Sequence, residues 1–112
     1  DDWRDDRYGD RYGDWRSRPA GHQALLAQLS NAVYDLADAV PANRFRPFLS
    51  GEERTLARRQ AQDIRRDALT VGCFPLADLA QQLRADAEPV NASRERVVRT
   101  IDEMRAALVR CR

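Results

Sequence analysis

SGEERTLARRQAQDIRRDALTVGC, residues 50–73, contains a helix start, a helical period and a helix stop in one run. Ser50 is followed three residues later by Glu53. That is the spacing at which a hydroxyl and a carboxylate satisfy first-turn N–H groups reciprocally, a capping box. Leu56, Ala57, Gln60, Ala61, Ile64, Ala68 and Val71 then share one side at about 100° per residue. Gly72 supplies the positive φ that ends many helices. Cys73 comes directly after it.

Upstream, residues 20–40 repeat the period through Leu25, Leu29, Ala32, Val33, Leu36 and Val40, and Pro41 stops the run. Residues 41–49 form a connector in which Arg44 and Arg46 alternate with Phe45 and Phe48, and Pro47 forbids helix there. Downstream, Pro75 suits the first turn of a short third helix with Leu76, Leu79, Ala80 and Leu83 facing inward before Pro89. Asn91 or Ser93 caps a fourth, whose inner stripe is Val97, Ile101, Met104, Leu108 and Cys111. No stretch alternates with period two, so no sheet is expected. Four helices on short connections predict an all-α fold, a small antiparallel four-helix bundle with up-down-up-down topology. A three-helix domain with the first helix loosely attached is the alternative.

Charge follows the same segmentation. Residues 20–40 carry Asp35 and Asp38 and no arginine, and residues 76–88 are also net acidic. Residues 44–66 hold seven arginines against Glu52, Glu53 and Asp63, and residues 93–112 are again net basic. In a ring of four, alternating sign places each helix beside opposite charge, although exposed pairs contribute little individually.

Residues 1–18, DDWRDDRYGDRYGDWRSR, are of a different kind. Arg-Tyr-Gly-Asp occurs twice in tandem, and six aspartates face five arginines. With no aliphatic side chain to bury, the segment is expected to be a disordered tail, leaving residues 19–112 as the helical domain. Trp3, Tyr8, Tyr12 and Trp15 could stack on rings or planar groups of a partner, or the tail could serve only as a spacer. Its aspartates nearly match its arginines, which argues against specific nucleic-acid binding.

The chain has only two cysteines, Cys73 and Cys111. In the antiparallel bundle both fall at one pole, where a disulfide is expected; two buried thiols are the alternative. That pairing points to an oxidising location, secreted or periplasmic. The start at Asp1 without methionine fits a chain whose signal peptide has been removed, as it would a trimmed chain. No apolar run approaches the roughly 20 residues needed to span a bilayer. His22 is the sole histidine, and no Cys-x-x-Cys or close-spaced ligand set is present, so neither a metal nor another cofactor is expected.

All 19 basic residues are arginine. On the second helix Arg54, Arg58 and Arg65 fall within about 40° of one another beside the apolar stripe. With Arg44 and Arg46 they form the candidate partner-binding set, since guanidinium groups fork onto carboxylate, phosphate or sulfate. An ordinary solvated face is the plainer reading. Phe45, Phe48 and Phe74 either plug the ends of the bundle, the commoner use, or form an exposed anchor. No serine, histidine or carboxylate sits at a catalytic spacing, so the chain is not expected to be an enzyme. Nor is a family resemblance drawn: Leu69-Thr70 continues as Val71-Gly72-Cys73, not as the Leu-Thr-x-x-Gln repeat of Spy/CpxP-type periplasmic chaperones. The expected function is a small exported binding or adaptor module for an acidic protein or anionic polymer. The alternative is a stress-protective envelope protein that holds apolar clients.

Overall fold

The computed structural model describes residues 17–111. It contains four helices and no strand among the described residues: α1 (Ser17–Ala39), α2 (Gly51–Val71), α3 (Phe74–Asp86) and α4 (Arg94–Arg110). α1 starts inside the segment expected to be disordered, two residues before the boundary drawn from composition. Pro19 does not oppose this, because a proline in the first turn has no intrahelical N–H to lose. Residues 1–16, where a disordered tail is expected, lie outside the described residues.

α2 forms as its sequence dictates. Ser50 Oγ accepts from the Glu53 N–H at 3.1 Å, and the Ser50 N–H donates to Glu53 Oε1 at 2.9 Å. At the other end Gly72 takes φ 80°. The Gly72 N–H then reaches the Leu69 carbonyl at 3.2 Å and the Cys73 N–H reaches that of Ala68 at 2.8 Å, so two otherwise orphaned carbonyls are satisfied. Ser93, not Asn91, caps α4, its Oγ accepting from the Arg96 N–H at 3.2 Å.

The helices form a ring. α1 lies against α2 and α4, and α3 likewise, while neither diagonal pair touches along its length. α2 and α4 begin at one pole and end at the other; α1 and α3 run against them, giving the up-down-up-down order. Each helix contributes its apolar stripe to one core: Leu29, Val33 and Leu36, Ala57, Ala61 and Ile64, Leu76, Ala80 and Leu83, then Val97, Ile101, Met104 and Leu108. Leu49 and Ala92, from the connectors, close the core at the top. One buried polar link joins α3 to α4, where Thr100 Oγ1 donates to Asp86 Oδ2 at 2.9 Å.

Two ties cross the α2–α4 diagonal, one at each pole. At the lower pole Cys73 and Cys111 are disulfide-bonded with Cα atoms 5.8 Å apart. Glu53 and Arg94 form an ion pair at the upper pole. The alternating helix charges, by contrast, produce no ion pair between ring neighbours among the described residues. Arg66, Arg99 and Arg105 pair with acids on their own helices. These arginines reach carboxylates one, three or four positions away on their own helix at lower entropic cost than those of a neighbouring helix.

Candidate functional site

Arg94, the first residue of α4, organises the upper pole. It is 4% exposed, and its guanidinium grips Glu53 with both forks, Nη2 to Oε1 at 2.7 Å and Nη1 to Oε2 at 2.9 Å. Nε donates to the Arg46 carbonyl at 2.7 Å, and Nη1 also reaches the Pro41 carbonyl at 3.1 Å. A buried guanidinium is tolerated because a carboxylate and two carbonyls replace its water. The hydrogen bond from Arg94 holds the Glu53 carboxyl below its usual range; partial burial opposes this, and the Ser50 N–H assists it.

The connector is therefore fixed. The Arg94 N–H donates to the Pro47 carbonyl at 2.9 Å and the Leu49 N–H to that of Ala92 at 3.0 Å, with Phe48 and Ser93 paired as one antiparallel bridge. Asn43 shapes the preceding turn, accepting from the Phe45 N–H on Oδ1 at 3.0 Å. Outward from this frame stand Arg44 and Arg46, both exposed, with Phe45 82% and Phe48 58% exposed. Arg44 lies over the Phe45 ring, 5.2 Å from its centre. Beside them, between the connector and the first turns of α4, runs a groove of about 440 Å³ lined by Arg44, Pro47, Phe48, Glu95 and Val98.

The expected arginine set divides. Arg54 is engaged within the fold: its Nε and Nη2 donate to the Ala87 and Glu88 carbonyls at 3.3 and 2.7 Å, capping the end of α3. Those carbonyls have no intrahelical donor, and Arg54 is the cation within reach. Arg58 is half-buried one turn further along, and Arg65 is exposed about 16 Å down α2 from Arg54, counted at 1.5 Å per residue. Arg65 therefore lies apart from Arg44 and Arg46. Among the described residues Arg44, Arg46, Arg58 and Arg65 form no ion pair. Trp3, Tyr8, Tyr12 and Trp15 lie outside the described residues. Phe45, Phe48 and Phe74 do not plug the bundle; Leu49 and Ala92 fill the upper end instead, and all three rings remain exposed.

The sequence reading missed Arg94 and the capping role of Arg54. Arg94's acceptors lie between 41 and 53 positions away, and no local spacing marks such a link. Among the described residues no group of histidine, cysteine and carboxylate side chains gathers as a metal site, and no helix is long and apolar enough to cross a membrane. Comparison with known proteins adds no identity: no family model, curated protein or solved structure matches the chain.

Proposed function

We propose that the domain is an exported binding or adaptor module that engages an acidic protein or anionic polymer at its upper pole. The observation that carries this reading is the presentation of Arg44 and Arg46, flanked by Phe45 and Phe48, on a connector immobilised by Arg94. Side chains held on a fixed backbone lose less freedom on binding, and cations beside exposed rings suit an anionic partner with some apolar surface. Arg58 and Arg65 extend the cationic side along α2. The disulfide supports export, since such bonds persist in oxidising compartments.

Elution from immobilised heparin tests the surface. Arg44→Gln/Arg46→Gln is expected to elute at clearly lower salt than the parent, and Arg58→Gln/Arg65→Gln at slightly lower salt. Unchanged elution of both overturns the reading. The exposure of Phe45 and Phe48 favours a second reading, the envelope stress-protective protein that holds apolar clients. In that case a model client is kept from aggregating, Phe45→Ser/Phe48→Ser loses the protection, and heparin elution does not depend on the arginines.

A further inference from the structure

The upper pole carries a hole and a knob. The hole is the groove between the connector and α4, with Pro47, Phe48 and Val98 as apolar walls. The knob is Phe45, 82% exposed and outside that lining. A ring this open to water forfeits the burial that makes aromatic side chains effective anchors. Its backbone is nevertheless held: Asn43 Oδ1 accepts from the Phe45 N–H, and Arg94 binds the carbonyl of the next residue, Arg46. A projection already fixed in this way loses little further freedom when it is covered. On the neighbouring connector Val90, 83% exposed, adds apolar surface to the same pole.

Charge adds a second match. Arg44 and Glu95 line the same groove with opposite signs. Arg44 has no ion pair among the described residues, and the 84% exposed carboxylate of Glu95 meets only Arg99, one turn along its own helix, at 3.4 Å. A partner of a single sign meets only one of the two favourably. A surface with a projecting ring, an apolar cleft and one charge of each sign suits both, and the upper pole of another copy has that composition. In a twofold pairing every contact occurs twice, so a patch that complements itself closes at two copies.

We propose that two copies of the chain pair through their upper poles about a twofold axis. Phe45 of each copy seats against Pro47, Phe48 and Val98 of the other, and Arg44 of each faces Glu95 of the other. A contact confined to one pole of so small a domain belongs with the weak, exchanging interfaces below about 1,200 Å². The inference goes beyond the proposed function and does not depend on it, since no anionic ligand takes part. Arg44 serves both uses, so an anionic partner and a second copy compete for it.

Sedimentation equilibrium of the full chain, from about 1 μM to about 1 mM so as to cover weak association, tests the pairing. The average mass is expected to climb from 12.8 kDa toward twice that value and no further. Arg44→Glu and Glu95→Arg each set like charges face to face twice in the dimer, and each should raise the dissociation constant at least about tenfold. Phe45→Ser, which leaves the charges alone, should also raise it clearly. An equimolar mixture of the two charge variants should recover the parent's association, because every contact then joins opposite signs again. A mass of 12.8 kDa at every concentration overturns the proposal. So does association that any of the three single variants retains in full, a mixture that does not recover, or a mass that grows past the dimer. Heparin elution is a separate readout, so failure here and failure of the proposed function are told apart.

Discussion

Arg94 does two jobs at one atom group: it neutralises Glu53 and holds the carbonyls of Pro41 and Arg46. Removing its carboxylate partner leaves a buried charge with carbonyl partners only. Glu53→Gln is therefore expected to lower unfolding free energy by about 2–4 kcal/mol at neutral pH, at or just below the range for breaking a buried pair, because Glu53 is partly exposed. Urea titration measures it. The sign of the pH dependence follows from the depressed carboxyl of Glu53. A folded-state value lowered from 4.5 gives stability that is complete above about pH 4.5 and lost as pH falls through the lowered value. The parent should lose stability across that acid window more steeply than Glu53→Gln does.

Helices were the readable elements. In α2 the cap, the stripe and the stop are all local, and each interaction they encode lies within five residues, so periodicity and turn chemistry placed them correctly. Gly72 is the sharpest case. A Cβ there would meet nothing within 4 Å, so Gly72→Ala isolates the cost of a left-handed backbone: about 1–2 kcal/mol. Thermal unfolding of the variant checks it. α1 begins at Ser17, three residues ahead of the period read from Ala20, because a helix can extend a turn beyond its packed stripe. The connector was the unreadable element. Arg44, Arg46, Phe45 and Phe48 could be nominated from sequence, but their fixed outward display depends on Arg94, far along the chain. Arg54 was misread for the same reason, since the α3 carbonyls it caps are more than 30 residues away.

At the scale of the whole molecule, the ring order and the meeting of Cys73 with Cys111 followed from alternating helix directions alone. The charge alternation proved a poor guide to contacts, and the diagonal ties at the two poles had only half a signal, the cysteines. The disulfide joins residues 38 apart in sequence, and in the chain-entropy model closing such a loop contributes about 4 kcal/mol. Reduction should lower the unfolding free energy by an amount of that order.

That bond also fixes how the molecule carries load. Stretched from its two ends in an optical trap, the oxidised protein transmits tension from Cys73 straight across to Cys111, and α3 and α4 sit slack in a sealed loop. The traction falls on α1, the connector and α2. Adding reductant should release the hidden length, lengthening the fully extended trace by about 130 Å, which is 38 residues at 3.3–3.6 Å each.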